Sequence, residues 1–116
     1  MSIHIYPEVS TKLEQLLLDH SSWNPIHANK ITSLIPEIRS DIILRAYVNY
    51  LRSQAMPICS SSDGYWMGIE AQDIYQTIND LSSRIAGITK AIEGLRYAAE
   101  RIGSYHDCTS LYFIGI

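Results

Sequence analysis

IYQTINDLSSRIAGITKAIEGLRYAAERI, residues 74 to 102, places an apolar side chain at every alternating step of four and three: Ile74, Ile78, Leu81, Ile85, Ile88, Ile92, Leu95, Ala99 and Ile102. That is the a/d pattern of a heptad repeat, sustained for about four heptads with no polar residue in the seam. No proline interrupts it. A helix of this length runs to about 43 Å. A compact domain of 116 residues does not need one so long. The stripe therefore calls for a partner, either a second copy or the rest of its own chain. We read residues 70–103 as a long C-terminal dimerisation helix with homodimer contacts at Ile74, Ile78, Leu81, Ile85, Ile88, Ile92, Leu95 and Ile102.

The flanks of the stripe qualify that reading. With Ile78, Ile85 and Ile92 as a, the neighbouring positions are Tyr75, Thr77, Ser82, Arg84, Thr89, Ala91, Arg96 and Ala98. The charged frame of an extended zipper is missing, and small neutral neighbours widen the apolar face. Gly87 and Gly94 lie on the outer face and weaken the isolated helix by about 1 kcal/mol each relative to alanine. The pattern fits a helix within a more globular interface, with the partner's orientation open.

The totals set bounds. Hydrophobic residues make up 47% and charged residues 18%, which places the chain among globular proteins. The net charge of −3 gives no whole-chain attraction to nucleic acid, so any basic surface must be local. Cys59 and Cys108 form no CxxC, and the four histidines show no ligand spacing, so free thiols and no metal or cofactor are expected. His106-Asp107-Cys108 joins three reactive residue types, but neighbours in sequence rarely converge on one point, so no enzyme is expected. The N-terminus lacks the basic and apolar regions of a secretion signal, and there is no apolar run of membrane length, so a cytoplasmic protein without a membrane partner is expected.

Taken in order, Ser2–Tyr6 alternates and predicts a short strand stopped by Pro7. Ser10 or Thr11 is the expected helix cap, with Glu14 completing a capping box, and Val9, Leu13, Leu16 and Leu17 forming one apolar face. Trp23-Asn24-Pro25-Ile26 reads as a connector, with Trp23 in the core. Residues 27–35 predict a short helix with Ile31, Leu34 and Ile35 inward, followed by a tight break at Pro36–Arg39. Ser40 is a good N-cap for a helix over about 41–54, and Asp41 suits its first turn. Ile43, Leu44, Tyr47, Val48 and Leu51 face inward at helical spacing; Asp41, Ile42, Arg45, Ala46, Asn49 and Arg52 face outward. The period then drops to two. Met56–Cys59 and Tyr65–Met67 predict a hairpin around the turn residues 60–64, with Trp66 packing it on the helices. In the tail 104–116, Leu111–Ile114 reads as a strand able to pair with Ile3–Tyr6.

Helix, connector, short helix, tight turn, longer helix, hairpin is the order of a winged helix-turn-helix. Asn24-Pro25-Ile26, Ile31–Ile35, Arg39–Arg52, Ala55–Ser60 and Gly64–Met67 resemble the winged helix at the front of biotin-repressor-type regulators and of small phage and prophage proteins. The shared features are a Leu-Arg ending the second helix of the motif, a Pro-Ile strand, and a Gly-Tyr after a polar tip. The likeness covers about residues 10–69. It implies an α+β, mostly helical fold: a winged helix over 1–69, then the long helix. It also implies that helix 40–54 enters the major groove of double-stranded DNA with hairpin 57–67 as the wing. Carried over by position, Ser40, Asp41, Ile42, Arg45, Ala46 and Asn49 form the groove face, with Arg45 on guanine and Asn49 on adenine. Lys30, Arg39 and Arg52 serve phosphates, and Ser61 and Ser62 offer wing-tip hydroxyls.

Charge gives this partial support. Residues 27–56 hold four basic residues and two acidic ones, a local +2, against five basic and ten acidic elsewhere. Against it stand a wing tip with Asp63 and no cation, Asp41 near the phosphates, and few cationic contacts per copy. Two copies double those contacts. The rival expectation is an interaction protein that uses the same fold to bind a host protein.

Overall fold

The computed structural model describes residues 3–105, and side chains as far as Gly103. The elements are α1 (Pro7–Leu18), α2 (Ala28–Leu34), α3 (Asp41–Ser53), β1 (Ile58–Ser61), β2 (Gly64–Met67) and α4 (Ala71–Tyr105). The fold is mostly helical α+β, with one small antiparallel sheet and a long last helix. Contacts divide the chain into two units, Met1–Ile78 and Asn79–Ile116. The first two turns of α4 thus belong with the helices and hairpin before them, beyond the boundary at 69 expected from sequence.

Three expectations change at the front of the chain. Residues 3–6 form no strand, and the Tyr6 amide donates to the Tyr47 hydroxyl at 3.1 Å. Pro7 starts α1 instead of stopping a strand: it sits at the first helical position, where its fixed φ is suited and its missing N–H costs nothing. Ser10 and Thr11 are therefore inside the helix, and their hydroxyls donate back to the Pro7 carbonyl, both at 2.9 Å. Trp23 lies on the surface, 77% exposed, and Leu34 is also exposed. The tail residues Leu111–Ile114 and His106-Asp107-Cys108 lie outside the described residues.

The core of the first unit is built from one side of each helix. Val9, Leu13 and Leu17 of α1 meet Ile31 of α2 and Leu44, Tyr47, Val48 and Leu51 of α3, with Ile35 and Ile38 closing the break between α2 and α3. Each such side chain contributes about 1.5–3 kcal/mol through burial. Ile58 and Met67 carry the hairpin onto this cluster. Cys59, the next residue of β1, is buried outside this cluster, and burial pushes its thiol above the ordinary range.

Backbone geometry fixes the hairpin. Ile58 pairs with Met67 and Ser61 with Gly64, leaving only Ser62 and Asp63 in the turn. Ile26 then adds a third strand position: its N–H donates to the Tyr65 carbonyl and its carbonyl accepts from the Tyr65 N–H, both at 2.9 Å. What sequence presented as a connector is therefore a bridge between α1 and α2. It passes so close to Gly64 that a Cβ there would lie 2.4 Å from the Ile26 carbonyl oxygen. Gly64 also has φ +134°, a region L side chains rarely adopt.

α3 ends in a Schellman turn. The Met56 N–H reaches the Leu51 carbonyl at 3.0 Å and the Ala55 N–H the Arg52 carbonyl at 2.9 Å, with Ala55 at φ 68°. That left-handed position is normally glycine's. Two substitutions should therefore move stability in opposite directions in urea unfolding. Gly64→Ala should lose about 2 kcal/mol or more, and Ala55→Gly should gain about 0.5–1 kcal/mol. Equal effects of the two would show that neither backbone constraint operates.

Candidate functional site

The candidate site is the outer face of α3 with the turn before it and the hairpin after it. α3 starts where it does because the Ser40 hydroxyl accepts the Ile43 N–H at 3.3 Å. The hydroxyl's own hydrogen is left for an outside acceptor, such as a phosphate oxygen. Asp41, Ile42, Arg45 and Asn49 follow on one exposed strip of the helix, and Ala46 borders it half-buried. Among the described residues none hydrogen-bonds or forms an ion pair with the side chain of Arg45 or Asn49. Ile42 is 67% exposed, an isolated apolar side chain between charged neighbours.

Lys30 on α2 and Arg39 just before α3 are also exposed. Arg39 lines an open cleft of about 510 Å³ together with Ile3, His4, Glu8, Ile43 and Tyr47. Glu37, on the same wall, is paired with Lys12 of α1 at 2.6 Å, and that hydrogen bond holds its carboxyl below the usual range. Lys12 thus takes up one carboxylate close to the cationic turn.

Arg52 differs from the other cations. Its Nε donates to the Ile58 carbonyl at 2.9 Å and its Nη2 to the Ser60 hydroxyl at 3.1 Å. The sequence reading gave it to phosphate; the structure places it as a clamp between α3 and β1. Ser60 is held from its other side too, since its N–H donates to the Thr77 hydroxyl at 3.3 Å, and Thr77 is buried in the first turns of α4. Ser61 and Ser62 are exposed at the hairpin tip, where the Ser61 hydroxyl accepts the Asp63 N–H at 3.1 Å and closes the turn.

The second element of interest is α4. Ile78, Ile85, Ile88, Ile92, Leu95 and Ile102 are each 36–70% exposed, while Ile74 and Leu81 are half-buried. The heptad seam is thus an open apolar face on the single chain. Among the described residues no group of three metal-ligating side chains comes together, and no helix is long and apolar enough to cross a membrane.

Compared with known proteins, the chain matches no family model, no curated protein and no solved structure.

Sequence reasoning missed Thr77, the Ile26 bridge and the clamp role of Arg52. Only the first had a signal: a β-branched hydroxyl beside an isoleucine stripe. Replacing Arg52 with alanine strands the Ile58 carbonyl and loosens β1. The expected loss is about 1–3 kcal/mol of stability, with faster amide exchange at residues 58–61 than at Leu13 or Leu44. Unchanged exchange at the hairpin would remove Arg52 from this role.

Proposed function

We propose that this chain is a small winged-helix DNA-binding protein that works as a homodimer, a transcriptional regulator of the phage or prophage type. α3 is its recognition helix and the β1–β2 hairpin its wing. The observation that carries this reading is the Ile26–Tyr65 bridge. With it the order becomes helix, bridging strand, helix, helix, hairpin, and the capped third helix turns Ile42, Arg45 and Asn49 outward.

The chemistry of that strip suits a major groove. A guanidinium can bond two guanine acceptors, a carboxamide can pair with adenine, and an exposed isoleucine can meet a thymine methyl. Lys30, Arg39 and the Ser40 hydroxyl hold the backbone, and Ser61 and Ser62 reach it from the wing. Asp41 weakens general attraction, which favours readout of bases over loose binding. Two copies joined through α4 double the small number of cations and read two half-sites.

A second reading, an interaction protein of the same fold that binds a host protein, is favoured by the hairpin tip. The tip carries Asp63 and no cation, and Trp23 is exposed on the same unit.

Selection from a pool of random double-stranded DNA separates the two. The proposal expects an enriched two-part sequence whose binding weakens steeply with salt. Arg45→Ala and Asn49→Ala should each lose about 1–3 kcal/mol on that sequence with unchanged stability. No enrichment, or full binding by both variants, would overturn the groove assignment.

A further inference from the structure

We propose that the cleft beside Arg39 is a binding site for a small monocarboxylic acid with an apolar body. The site lies wholly within the first unit and does not rest on the DNA reading, although Arg39 serves in both.

The cleft has the size and lining of a ligand site. Its volume of about 510 Å³ falls within the range of small-molecule pockets, about 300–1,000 Å³. Ile3 before α1, Val9 of α1 and Ile43 of α3 form its apolar wall. Val9 is buried and the two isoleucines are half-buried, so an apolar ring or branched chain seated on them loses water without disturbing the core. The exposed Tyr6 ring, in edge contact with His4 at 4.4 Å between centroids, adds a flat side.

Two donors on this cleft lack an acceptor. Tyr47 is 2% exposed; its hydroxyl accepts the Tyr6 N–H, and among the described residues nothing accepts its own hydrogen. A buried donor left unpaired is costly, and a ligand oxygen in the cleft satisfies it. Arg39 is exposed, and among the described residues it makes no hydrogen bond or ion pair. Glu8 and Glu37 line the same cleft, yet neither takes it: Glu37 is held by Lys12 at 2.6 Å. The guanidinium therefore keeps its fork of donors open, and a carboxylate matches that fork with two parallel bonds.

The acidic side chains set the ligand's charge. Lys12 compensates Glu37, whereas Glu8 has no cationic partner among the described residues. One negative charge on the ligand is balanced by Arg39, and a second meets Glu8. A monocarboxylate is thus favoured over a phosphate dianion, and the apolar wall favours a ring or branched chain on it over acetate.

The test is nuclear magnetic resonance titration of the full isotope-labelled chain. The probes are phenylacetate and 4-methylpentanoate, with 2-phenylethanol and inorganic phosphate as contrasts. The expected result is saturable shifts of amides in residues 3–9 and 38–43 with at least one acid, and none with either contrast. Arg39→Gln should weaken that binding about tenfold, as loss of a charge-assisted pair requires. Glu8→Gln should tighten it about twofold, as expected for removing one exposed like charge. Both positions are on the surface, and thermal melting of the two variants checks that they fold as the parent does. No saturable shift with either acid, an equal response to 2-phenylethanol or phosphate, or undiminished binding by Arg39→Gln would overturn the proposal.

Discussion

Ser60 is where three elements of this protein meet. Its hydroxyl receives Arg52 from α3 and its amide donates to Thr77 of α4. Neither bond is strong: each is worth about 1 kcal/mol in net stability, somewhat more where the guanidinium donates. Their value is geometric. A two-stranded hairpin of four-residue strands does not hold itself in water. It is given a fixed place by these bonds, by the Ile26 bridge and by the burial of Ile58 and Met67. The same residue thus couples the helix we assign to recognition, the hairpin we assign to the wing, and the start of the helix we assign to pairing.

Much of this was legible in the sequence, and the reasons differ by element. α3 could be read closely because an N-cap serine, an acidic first turn and five inward apolar residues at helical spacing agree. The hairpin was legible from the change of period and from Gly64. The front of α1 was misread because Pro7 is equally good at ending a strand and at starting a helix, and only the Tyr6–Tyr47 contact decides. Ile26 could not be read as a strand position from a single bridge, since one residue has no period. Trp23 was assigned to the core on residue type alone, and type does not tell which side of a turn faces water.

The site was legible at a coarser level. Burial sorts α3 into the faces its periodicity predicts, so Ile42, Arg45 and Asn49 are exposed as expected. What no pattern carries is where a long flexible side chain goes. Arg52 falls on the same side of α3 as Arg45, yet its four-bond reach takes it to β1. Charge counting along a sequence treats the two as equivalent; hydrogen bonding separates them. The apolar stripe of α4 is the reverse case. Its period is plain in the sequence, and six of its large side chains stand exposed on the single chain.

The protein we propose is a dimer that binds duplex DNA through the first unit. The most direct measurement is sedimentation of the full chain alone and with a mixed-sequence duplex at low and moderate salt. The proposal predicts a dimer without DNA, a complex of one dimer per duplex at low salt, and loss of that complex as salt rises. A chain that sediments identically with and without duplex at low salt would contradict it.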